Sequence, residues 1–158
     1  MTHEGRLSPG AQPSAFVRER FDQQYARFSP DTRWVAYTSD ESGQNEVYIR
    51  SFPELRQKLQ ISTGGGAFPE WGPSGRELFY LSRDGKLMVV TMKLNGTFPV
   101  ASLPREVFAL QSDNIGGNPY SVAPDGKRFL VSGLAASRQP LQVIVNWQAL
   151  LKKGAGAP

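Results

Sequence analysis

Three short stretches of this sequence share one pattern, and that pattern limits the fold more than anything else in the chain. They are RFSPDTRWVAYTSD from Arg27, EWGPSGRELFYLSRDG from Glu70 and SVAPDGKRFLVSG from Ser121. Pro30, Pro73 and Pro124 occupy equivalent positions, so the spacing is 43 residues and then 51. The longer interval holds an inserted loop, QSDNIGGNP. In each copy an aromatic or apolar residue (Phe28, Trp71, Val122) precedes a small residue and Pro. Asp or Ser follows, then usually Gly, then Arg or Lys, then an apolar run: WVAY, LFYL or FLV. Pro presets φ for the second position of a turn, Asp accepts local backbone hydrogen bonds, and Gly takes positive φ. The motif is therefore a hairpin turn between two strands. Thr32 stands where the other copies have Gly75 and Gly126, so a β-branched residue is expected in a left-handed position.

A third strand follows each hairpin: EVYIRSF, KLMVVTMKL and LQVIVNW. In the last, simple alternation puts Leu141, Val143, Val145 and Trp147 on one side and Gln142, Ile144 and Asn146 on the other. KLQIST and EVFAL supply a fourth strand to two copies. Four antiparallel strands per repeat of this length describe a propeller blade. The expected fold is all-β: a partial β-propeller of about three four-stranded antiparallel blades, half of a six-bladed ring. Residues 1–14 are expected to be a disordered head, 15–148 the propeller and 149–158 a tail with one helical turn at QALLKK. The third blade lacks a fourth strand. AFVRE, Ala15 to Glu19, has the spacing of a fourth strand without a blade, and is preferred as a strand over a short helix pairing Phe21 with Tyr25.

The repeats resemble the TolB-type, WD-repeat-like β-propeller repeat. The likeness rests on Phe28-Ser29-Pro30-Asp31, Trp71-Gly72-Pro73-Ser74-Gly75 and Val122-Ala123-Pro124-Asp125-Gly126, and it extends from about Phe16 to Trp147. The chain is also similar to the C-terminal propeller segments that follow some bacterial serine/threonine kinase and transcriptional-regulator modules. It contains no Gly-rich kinase loop and no H-R-D motif. The resemblance implies binding of peptides or small ligands near the central channel. Successive turns of an up-and-down blade alternate between two faces. The proline turns share one face. The other collects the links between blades and the turns joining second and third strands. There, near the channel, Gln24, Tyr25, Phe68, Asn118 and Tyr120 are the candidate partner-binding residues.

Composition excludes much chemistry. The chain has no Cys, and its one His is His3. Disulfides, Cys nucleophiles and His- or Cys-based zinc sites are ruled out, and a Ser-His-Asp triad is not expected. Asp40-Glu41 is read as a solvated turn, without EF-hand spacing. TGGGAF, from Thr63, lacks the ending of a phosphate loop and reads as a flexible connection between blades. The net charge of +4 comes from scattered Lys and Arg, not the stripe of a nucleic-acid binder. No apolar run approaches the roughly 20 residues of a membrane span. No cofactor, nucleic acid or membrane insertion is expected. Taken as written the chain would be cytoplasmic, or extracytoplasmic if it is part of a membrane-anchored protein. The expected role is a non-enzymatic module that binds a protein or peptide, or acts as a sensor. The alternative is an accessory propeller of a larger enzyme, a serine peptidase or a serine/threonine kinase. Three blades do not close a ring. Either a homodimer completes six blades, AFVRE of each chain filling the other's third blade, or further blades lie in a longer chain.

Overall fold

The computed structural model describes residues 15–16, 19–96, 98–110, 119–132 and 142–153. The first proline turn joins β1 (Gln23–Phe28) to β2 (Trp34–Ser39), and β3 (Glu46–Ser51) and β4 (Lys58–Gln60) complete an antiparallel sheet in sequence order. The second blade is β5 (Gly66–Trp71), β6 (Glu77–Ser82), β7 (Lys86–Lys93) and, across the far edge of β7, β9 (Arg105–Ala109). A two-residue strand that the sequence did not suggest, β8 (Val100–Ala101), pairs with the end of β7. The third blade comprises β10 (Tyr120–Val122), β11 (Arg128–Val131) and β12 (Gln142–Val145), followed by α1 (Gln148–Lys153), which packs near β9. The chain is thus an all-β partial propeller of three blades.

The proline turns are alike in atomic detail. The amides of Thr32, Gly75 and Gly126 donate to the carbonyls of Ser29, Gly72 and Ala123 at 2.8, 2.9 and 2.8 Å. Their φ values are 57°, 69° and 65°. The amides of Ser29, Gly72 and Ala123 donate to the carbonyls of Trp34, Glu77 and Arg128, so each is a four-residue hairpin loop built around a tight turn with a left-handed third residue. Thr32 is left-handed, as its position in the repeat requires.

Two apolar layers hold the blades together. Trp34, Ala36, Ile49, Trp71, Leu78 and Val90 fill the space between the first and second blades. Phe79, Leu87, Val89, Tyr120, Phe129 and Trp147 fill the space between the second and third. The second blade is buried on both faces, between the first and the third, so its strands are apolar on both sides, and β2 of the first blade is also buried throughout.

Two expectations are corrected. Ala15, Phe16 and Glu19 lie outside any strand; Val17 and Arg18 are outside the described residues. Instead Glu19 pairs with Arg50 of β3 at 2.8 Å, and Phe16 packs against Phe52 with centroids 5.6 Å apart. The segment lies against its own first blade, and strand spacing alone could not show that no sheet edge was there to receive it. Trp147 does not share a side with Val143 and Val145. Asn146 has a φ of 56°, which reverses the alternation, so Trp147 joins Ile144 in the core while the two valines face outward.

Candidate functional site

The innermost strands of the first two blades carry the same irregularity. The β1–β2 register shifts between Gln24 and Arg27, and the β5–β6 register shifts between Ala67 and Glu70. At the bulges Tyr25 and Phe68 adopt φ values of 55° and 56°. Both stand five residues before the turn proline. For bulky side chains this backbone region is a true outlier. The bulge turns both rings toward each other, with centroids 4.2 Å apart and planes inclined by 38°. Phe68 is buried and Tyr25 half exposed. From the third blade the Tyr120 hydroxyl donates to the Phe68 carbonyl at 2.7 Å. Burial pushes the Tyr120 phenol well above its ordinary pKa, so it stays a neutral donor.

The structure therefore brings Tyr25, Phe68 and Tyr120 together. Gln24 is exposed and lines, together with Tyr25, Phe16, Val35 and Tyr37, a cavity of about 280 Å3 that Phe68 does not border. Asn118 lies outside the described residues. Beside the aromatic pair, Arg27 and Glu70 form an ion pair at 3.1 Å. They occupy the same repeat position, three residues before Pro30 and Pro73. Opposite charges exactly one repeat apart were the readable signal for this contact, and sequence reasoning missed it. The Trp71 indole donates to the Arg27 carbonyl at 3.2 Å and ties the two inner strands together.

Phe68 also borders a cleft of about 570 Å3 between the first two blades. Its walls are the β2–β3 turn at Gln44 and Asn45, the link at Gly65 and Gly66, and the β6–β7 turn at Ser82 and Arg83. This is the face that collects links and second turns, as blade connectivity requires. The link is not a flexible connection. It is folded around the buried carboxylate of Glu46, which accepts from the Gly64 and Gly65 amides at 2.7 and 2.8 Å, from Gln44 Nε2 at 2.6 Å and from the Ser62 hydroxyl. Burial raises the Glu46 pKa, but the bonds from Ser62, Gly65, Gly64 and Gln44 outweigh it, and the net shift is downward. The amides that could have cradled a phosphate already hold an internal anion. A Cβ on Gly65 would lie 2.6 Å from Arg83 Cβ, so the Arg83 stem lies directly over the glycine. Arg83 has no ion pair among the described residues. At the candidate cation position, Asp40 Oδ1 accepts from the Asp22 amide at 3.0 Å and Glu41 pairs with Lys58.

A scan against protein-family models gave no match, and a search of curated proteins gave none. Solved structures do match. TolB from Acinetobacter baumannii aligns with a TM-score of 0.51 and 17% identity, over 77% of this chain and 29% of that one. An oligogalacturonate lyase from Vibrio parahaemolyticus aligns with a TM-score of 0.51 and 14% identity, over 73% of this chain and 31% of that one. The chain spans less than a third of the length of either. At these identities the likeness is one of fold, and the fold it supports is a TolB-like propeller.

Proposed function

We propose that this chain is a non-catalytic interaction module that takes a protein or peptide segment into the cleft bordered by Phe68, Gln44, Asn45 and Arg83, beside Tyr25. One observation carries the reading. Two bulky aromatics hold left-handed backbone at the same repeat position of adjacent blades, where glycine would be unstrained. Strain of this kind, about 1–3 kcal/mol per residue, persists where the surroundings impose it and clusters at binding sites. The cleft has the mixed polar and apolar lining of a recognition site, with Arg83 at its mouth. Selection from a displayed random-peptide library on the folded chain tests the reading. The selected peptides should lose binding to Tyr25→Gly and Arg83→Glu. Equal binding to both variants refutes it.

A second reading follows from coverage, since this chain matches less than a third of each neighbour. It treats the three blades as part of a larger enzyme, such as a serine peptidase or a serine/threonine kinase, to which they contribute partner selection. The coding sequence directly adjoining this one distinguishes the two. A catalytic domain in frame supports the second reading, and its absence on both sides rejects it.

A further inference from the structure

We infer that the opposite face of the molecule, the one carrying the proline turns, holds a second docking groove for an extended acidic and apolar peptide segment of a partner protein. This surface is independent of the cleft beside Phe68. It is built by the excess length of β7. That strand pairs with β6 only as far as Thr91, opposite Glu77, then continues through Met92 and Lys93 to pair with β8. The resulting hairpin stands beyond the blade. Between it and the turns at Pro30-Asp31 and Ser74–Arg76 lies a groove of about 1010 Å3. Leu94 borders both this groove and an adjoining one of about 360 Å3, which leads toward Phe52 on the first blade.

Three features specify the occupant. The first is apolar exposure. Phe98 and Val100, which both line the groove, are 71% and 56% exposed. A clustered apolar patch of that kind marks an interaction surface more often than solvated structure. The second is charge. Residues 87–105 contain no Asp or Glu. Arg76 and Lys93 border the groove and have no ion pair among the described residues, whereas its one acid, Asp31, is already held by Arg33 at 2.8 Å. The groove lining is thus net cationic. The third is shape. The floor includes Met92, which is buried, and the walls are two turns and a hairpin, so a flat bilayer would not reach it. An extended chain would, and β8 ends its sheet among the described strands, which offers a backbone edge for strand addition.

Fluorescence anisotropy with the full chain tests this directly, using a fluorescein-labelled ten-residue peptide of alternating Val and Glu. Binding is expected, and the same peptide with Lys for Glu should bind at least about tenfold more weakly. Phe98→Ser and the pair Arg76→Glu with Lys93→Glu should each weaken binding about tenfold or more. These side chains are exposed, so the circular dichroism spectrum and melting midpoint should not move. Arg83→Glu, on the other face, should leave this binding unchanged. No binding of the acidic peptide, equal binding of the basic one, or loss through Arg83→Glu alone overturns the inference. So does a chain that ignores the peptide but sediments with phosphatidylserine vesicles in a Phe98-dependent way, because that identifies a membrane as the occupant.

Discussion

Thr32→Gly should make the protein more stable, although it removes a side chain. Thr32 has a φ of 57°, its turn equivalents are Gly75 and Gly126, and its amide makes the same 2.8 Å bond to Ser29 that defines the turn. The side chain is exposed and has no hydrogen bond of its own among the described residues. Left-handed backbone costs an L-residue about 1–2 kcal/mol, and a β-branched one lies toward the upper end. Glycine gives back about 0.4–1 kcal/mol through the greater freedom of the unfolded chain. The net gain is about 1–1.5 kcal/mol, or roughly 2–6 °C in melting midpoint for a domain of this size. Urea titration with the slope held common to both proteins gives the value. Thr32→Ala separates the branched side chain from the backbone term and should gain less than glycine. An unchanged or lower midpoint for Thr32→Gly refutes the reasoning, because the backbone would then leave the left-handed region in solution.

The converse substitutions should destabilise in a fixed order. Gly75→Ala adds a Cβ 3.6 Å from Pro30 Cδ, an ordinary contact, so only the backbone term of about 1–2 kcal/mol applies. Gly126→Ala adds one 3.0 Å from two atoms of Pro73 and should cost more, with chemical denaturation as the measure. Glu46→Gln replaces a carboxylate that accepts four bonds and should cost about 2 kcal/mol at neutral pH. Its pKa is lowered on folding from an ordinary 4.5, so its contribution is present above that value and disappears as pH falls through the folded pKa. The acid limb of a stability–pH profile should therefore flatten in the variant, and parallel profiles would show that Glu46 does not titrate in this way. EDTA should leave the melting midpoint unmoved, and a fall of several degrees would place a cation at Asp40 and Glu41.

The blades were legible because each depends on local rules. Turn chemistry, alternation and repeat spacing all act within a dozen residues, and together they place nearly every strand. The left-handed state of Thr32 was readable for the same reason, from its two glycine siblings. What failed depended on contacts distant in sequence or on a backbone state that no residue type announces. Glu46 reads as the first residue of a strand, and nothing nearby says that Ser62, Gly64 and Gly65 will fold around it. Trp147 reads as continuing an alternation that the left-handed Asn146 breaks. The aromatic site lies between. Repeat position aligned Tyr25 with Phe68, but the bulge that brings the rings to 4.2 Å is a property of the backbone, and neither residue type announces it.

The two ends of the blade stack differ, and the difference changes what assembly should look like. On the outer side of the first blade, Val35, Tyr37 and Tyr48 are buried, and Glu19 bridges to Arg50 with Lys58 3.9 Å away. On the outer side of the third blade, Leu130, Val143 and Val145 are exposed. Repeat arrays need their end faces capped, and here one end is covered by the chain's own preceding segment. A six-bladed ring of two chains must seat each third blade on the partner's first blade. Phe16 and Glu19 lie on that seat, so such a ring would require the segment to leave. The full chain should scatter light as a monomer at micromolar concentration, and deletion of residues 1–20 should promote association. Glu19→Lys, which sets like charges against Arg50 and Lys58, should act in the same direction with the chain length intact. A wild-type dimer whose mass and affinity are unchanged by either alteration would show that assembly does not use this face.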